Sequence, residues 1–87
     1  MKKNKSPLLS LRNVGPATLK DLELLGITTV EQLAKAEPDE LYQRLQQITK
    51  QRHDPCVWDV FAAIVHEART GEKTAWYEWS EIRKKIN

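Results

Sequence analysis

Apolar residues recur along this chain at spacings of three and four and never alternate strictly with polar ones, a pattern that predicts helices throughout and no sheet. Leu19, Leu22 and Leu25 share one face of a helix over about 16–25, which Gly26 terminates and Ile27 follows as a packing partner. Val30 and Leu33 mark a helix over about 29–36; either Thr28 with Glu31 or Thr29 with Gln32 has the spacing of a capping box. Leu41, Leu45 and Ile48 form the core stripe of a helix that starts at Pro38, with Asp39 and Glu40 suited to its positive end. Asp54-Pro55 announces the longest helix, about 55–70, ended by Gly71. Its broad apolar face, Val57, Val60, Phe61, Ile64, Val65 and Ala68, places it at the centre of a bundle. Trp76, Trp79 and Ile82 repeat at three, so a short terminal helix would lay that face on the core. At the other end, Pro7 with Ser6 as N-cap opens a short helix over about 7–12.

The connection between the first two helices is Asn13-Val14-Gly15-Pro16. Such a turn calls for residues that tolerate positive φ, which Gly15 does freely and Asn13 at modest cost. Pro16 fits the first helical position, where its missing N–H costs nothing. Backbone N–H groups at Gly15, Ala17 and Thr18 would then point off the helix N-terminus, whose partial positive charge suits a phosphate.

The stretch Leu11-Arg12-Asn13-Val14-Gly15-Pro16-Ala17-Thr18-Leu19 resembles the helix-hairpin-helix DNA-binding motif, which typically reads Leu-Pro-Gly-Val-Gly-Pro-Lys-Thr-Ala. Asn13 replaces the first glycine, Ala17 the phosphate-binding lysine, and Leu19 the alanine where the two helices meet. The likeness extends through residues 26–34, 40–45 and 51–61 to the Trp76/Trp79 tail. Over about residues 8–85 the chain is similar to a small bacterial family labelled a pathogenicity-locus or mitomycin-resistance family and described as helix-hairpin-helix. The resemblance implies an all-α, compact, SAM-domain-like bundle of five to six short helices containing one such motif, with a DNA-related role.

Eighty-seven residues make one small domain, here residues 7–87 after a basic arm, 1–6, expected to be disordered. One cysteine, Cys56, excludes an internal disulfide and suits a reducing, cytoplasmic setting. The apolar run after the N-terminal lysines is only Leu8-Leu9, too short for a secretory or membrane segment. The net charge of +2 conceals blocks. Residues 1–20 hold five bases and no acid, residues 21–48 and 54–82 are each acidic by four, and Lys50, Arg52 and Arg83-Lys84-Lys85 are basic again. Converging in space, the basic blocks would make one phosphate-facing surface; the plainer alternative is lysine-rich termini that aid solubility.

These features predict a module that binds DNA without sequence preference, because phosphates carry no base identity. The contacts fall on Arg12, Asn13, Val14, Gly15, Ala17, Thr18 and Lys20, with Ala17 contributing only its amide. The alternative is a protein-interaction module of the same fold, homodimeric through the tryptophan tail. Three tryptophans invite base stacking or partner anchoring as well as core closure. His53, Asp54 and Cys56 raise metal or nucleophile chemistry, with a depressed thiol pKa at a helix N-terminus. However, no zinc spacing is present, and His66 lies ten residues further on, about 15 Å by helical rise. Asp54 as cap, Cys56 as packing and His53 on the surface is the simpler reading. No catalytic constellation, cofactor motif or membrane partner emerges, so no enzyme is expected.

Overall fold

In the computed structural model, which describes residues 7–86, Pro7–Ser10 forms a 3-10 turn. It is followed by five α-helices: α1 (Pro16–Leu24), α2 (Val30–Ala34), α3 (Pro38–Thr49), α4 (Cys56–Thr70) and α5 (Trp76–Ile86). No strand occurs among the described residues. The first element is thus a single 3-10 turn rather than a helix to residue 12, and the Ser6 cap and the basic arm lie outside the described residues.

The helix ends follow their signals. At the end of α1 the Ile27 N–H reaches the Leu22 carbonyl at 2.9 Å and the Gly26 N–H the Glu23 carbonyl at 3.0 Å, with Gly26 at φ 80°. That is a Schellman closure, and it seals Ile27 against buried Leu22. Of the two candidate capping boxes, Thr29 with Gln32 forms: the Gln32 N–H donates to Thr29 Oγ1 at 3.1 Å and the Thr29 N–H to Gln32 Oε1 at 3.3 Å. The α3 helix ends on Lys50 at φ 56°, a left-handed residue that is not glycine.

Packing is organised around α4, which contacts α2, α3 and α5. Leu8, Leu22, Leu33, Leu41, Leu45, Phe61 and Ile64 are essentially inaccessible, each contributing about 1.5–3 kcal/mol by burial. Val57, Val60 and Ala68 pack partly buried against them. The radius of gyration, 12.6 Å, is close to the value of about 12 Å expected of a compact chain of this length.

Two parts of the apolar pattern face elsewhere. Ile48, the last residue of the α3 stripe, is 43% exposed. On α5 the Trp76/Trp79/Ile82 stripe is not the docking face: Trp76 and Ile82 are exposed and only Trp79 is half-buried. The side turned to α4 carries Trp79, Ser80 and Arg83, because α4 offers it a buried carboxylate, Asp59, as well as the His66 ring. Trp58 is likewise half-buried, its indole N–H bonded to Asp39 Oδ1 at 2.5 Å.

Candidate nucleic-acid interface

The turn from Leu11 to Gly15, the candidate hairpin, is built without left-handed backbone. Among the described residues only Gly26, Lys50 and Gly71 have positive φ, so the expectation of positive φ at Asn13 and Gly15 is corrected. Two successive short turns, Leu11 N–H to Leu8 carbonyl at 3.1 Å and Val14 N–H to Leu11 carbonyl at 3.3 Å, bring the chain round instead. They do so because Leu8, Leu11 and Val14 all point into the core.

Gly15 is the N-cap of α1, extended at φ −104° and ψ −174°, with Pro16 at the first helical position. No side chain caps this end, which leaves the Ala17 and Thr18 amides without the partner that a capping oxygen would give. A methyl group added at Gly15 would meet nothing within 4 Å. Neither backbone strain nor packing therefore requires glycine at this position. Arg12 and Lys20 flank the end, both exposed and, among the described residues, in no ion pair. Acids are also near on α1: Asp21 is pushed up chiefly by burial, against the pull of His53 and Lys20.

The sequence-predicted contacts thus divide. The Gly15, Ala17 and Thr18 backbone forms one uncapped helix end, with exposed Arg12 three residues before its N-cap and exposed Lys20 one turn into α1. Val14 is 7% exposed and belongs to the core. The Asn13 side chain is spent within the fold: its Nδ2 donates to the Thr74 carbonyl at 2.7 Å and its Oδ1 accepts from the Trp76 N–H at 3.3 Å.

Glu67 does parallel work. Only 5% exposed, it accepts from the Arg12 backbone N–H at 3.0 Å and from Lys73 Nζ at 2.7 Å. Asn13 and Glu67 together fasten the hairpin to the end of α4 and the start of α5. Sequence reasoning missed Glu67, Lys73 and Thr74. The available signal was an acid set among Ile64, Val65 and Ala68 on a helix expected to be central.

This fastening also sorts the positive charge. The hairpin sits against the C-terminal half of α4, whereas Arg83 bonds Asp59 near the start of α4 and also stabilises the Asp54 carboxylate. From Cys56 to Glu67 is about 16 Å of helical rise. The Arg83 end of α5 therefore lies towards the opposite end of α4 from the Arg12–Glu67 contact, whereas His53, next to the basic loop at 50–52, is within electrostatic reach of Asp21 on α1. Arg83 itself is committed to Asp59.

The cysteine region forms a cap rather than a reactive site. Asp54 Oδ1 accepts from the Cys56 N–H at 3.0 Å, and this bond is the main reason the Asp54 carboxyl is held below its usual range. Burial and then Asp54 push the Cys56 thiol up, which corrects the expected depressed pKa. His53 turns away to Thr49 Oγ1 at 2.9 Å. No group of three or more His, Cys, Asp or Glu residues able to hold a metal occurs among the described residues. No helix among them is long and apolar enough to cross a membrane.

Residues 2–85 match the family described as "Pathogenicity locus", Cdd1. The chain is also 35% identical over 81 residues to the mitomycin resistance protein McrB of Streptomyces lavendulae, an overlap of 93% of this chain and 77% of that protein. No solved structure matches it. An all-helical chain matched over nearly its whole length by one family, and by a relative at this identity, belongs to the pathogenicity-locus (Cdd1) family.

Proposed function

We propose that this protein is a non-enzymatic, cytoplasmic DNA-binding module of SAM-domain-like, helix-hairpin-helix type that grips phosphates without reading sequence. The observation that carries the reading is the N-terminus of α1. It is uncapped, opens on a glycine that the fold does not need, and has exposed Arg12 and Lys20 close to it in sequence. A phosphate seated there would accept from the Ala17 and Thr18 amides and lie in the field of both side chains.

Asn13 ties the Trp76 amide to the turn, which brings the start of α5 to it; Trp76 and Tyr77 there are 38% and 60% exposed. Stacking of an unpaired base on this pair would extend the grip to single strands. The relative's name states mitomycin resistance, and we extend that role to this chain as part of the same proposal.

Titration of a labelled single strand and a labelled duplex at two salt concentrations is the test. Binding that weakens with a log–log slope of about −0.7 to −0.9 per phosphate contact supports the proposal. Absence of binding to either at low salt contradicts it.

A second reading, a protein-interaction module, draws on the same exposed Trp76 and Tyr77 together with Ile82. Sedimentation separates the two readings: a concentration-independent monomer removes the homodimer form.

A further inference from the structure

A cavity of about 130 Å³ lies between α4, α5 and the start of α3. Its walls are the rings of Trp58, Trp79 and His66, and Ala62 and Val65 also line it. Each ring is fixed by its polar edge. Trp58 Nε1 donates to Asp39 Oδ1 at 2.5 Å, Trp79 Nε1 to Thr74 Oγ1 at 2.9 Å, and His66 Nε2 lies 2.7 Å from Glu72 Oε1. His66 and Trp79 stack at 5.3 Å with a 56° tilt. The volume is well below the roughly 300–1,000 Å³ of pockets for drug-sized ligands, so the space suits a single compact group.

Charge decides which group. The guanidinium of Arg69 also lines the cavity, but it is held by the Ala34 carbonyl at 2.8 Å, the Ala36 carbonyl at 2.7 Å and Glu37 Oε2 at 3.1 Å. Against that one cation stand three carboxylates bonded directly to lining side chains: Glu37, Asp39 and Glu72. The cavity is aromatic in its walls, and carboxylates outnumber the guanidinium at its rim. Indole faces attract a cation electrostatically within about 6 Å, and alkylated ammonium groups, being bulky and weakly hydrated, are the usual ligands of such cages. A phosphate or nucleotide would meet the same rim as repulsion.

We propose that this cavity is a binding site for a small organic cation, an alkylated ammonium, independent of any nucleic-acid role. The test follows the indole N–H signals of the whole protein by NMR during titration with choline, at constant ionic strength. The same titration is run with its neutral carbon analogue 3,3-dimethylbutan-1-ol and with AMP.

Choline should shift the Trp58 and Trp79 signals saturably and leave Trp76 in place, with the neutral alcohol binding about tenfold more weakly. Asp39→Asn keeps an oxygen acceptor for the Trp58 indole and removes the charge, so it should weaken choline binding severalfold while the spectrum stays folded. Equal binding of choline and the alcohol overturns the proposal. So does stronger binding of AMP, unchanged affinity in Asp39→Asn, or silence at Trp58 and Trp79 up to about 100 mM choline. None of these outcomes depends on whether DNA binds at the hairpin.

Discussion

Arg83 grips Asp59 with two nitrogens, Nε to Oδ1 at 2.8 Å and Nη2 to Oδ2 at 3.2 Å, and the carboxylate it holds is wholly buried. Ser80 completes the site at 2.5 Å. The pair locks α5 antiparallel along α4 and takes from Arg83 the freedom to serve as a phosphate ligand. Asp59→Ala leaves a partly buried guanidinium unpaired and should cost about 3 kcal/mol, read by denaturant titration. Arg83→Met placed on top of it should recover part of that loss, because the uncompensated charge is gone. A loss under about 1 kcal/mol in Asp59→Ala would show that the pair does not hold the helix.

Asn13 exchanges bonds with Thr74 and Trp76, so Asn13→Ala should destabilise the fold by about 1–3 kcal/mol through groups left unpaired. The Trp76 amide should exchange hydrogen faster in the variant. Unchanged exchange at Trp76 would place the anchor elsewhere.

Lys50 closes α3 at φ 56°, a conformation costing a side chain about 1–2 kcal/mol that glycine avoids. Setting that gain against glycine's extra unfolded-state entropy, Lys50→Gly should raise stability by about 0.5–1 kcal/mol. A lower melting temperature in the variant would refute this.

The Cys56 thiol is pushed up by burial and by Asp54, so the neutral thiol is the form the fold favours. Stability from this preference is complete below the ordinary thiol range and is lost as pH rises through and above it. Alkylation by iodoacetamide should accordingly be slow at neutral pH, with a midpoint above that of a free thiol. A midpoint below it would restore the reactive-cysteine reading.

The helices were legible because local signals set them: Thr29 and Gln32 make their capping box, Gly26 its Schellman turn, and Asp54 takes the Cys56 amide where α4 begins. The face of α5 was not. Spacing marks Trp76, Trp79 and Ile82 as a stripe, yet a helix docks on whatever its neighbour presents, and Asp59 presents a charge. Asn13 reads as a turn former because positive φ suits it, but its amide is used 61 residues away at Thr74. Both misreadings concern long-range polar partners, which periodicity does not encode. At the hairpin, the sequence marks Gly15 through the motif and Arg12 and Lys20 through their charge as expected phosphate contacts, while Glu67 and Lys73, which hold the turn in place, came only with the fold.

The proposed phosphate seat lies against Gly15. Gly15 has ordinary extended backbone and open space where a Cβ would stand, so Gly15→Ala should fold with a stability change under about 1 kcal/mol. The decisive measurement is the affinity of wild type and Gly15→Ala for one labelled DNA, at low salt and with matched folding. Wild type should bind and the variant should bind roughly tenfold more weakly, about 1.4 kcal/mol, as the methyl intrudes where phosphate approaches. Equal affinities, or no binding by wild type, would contradict it.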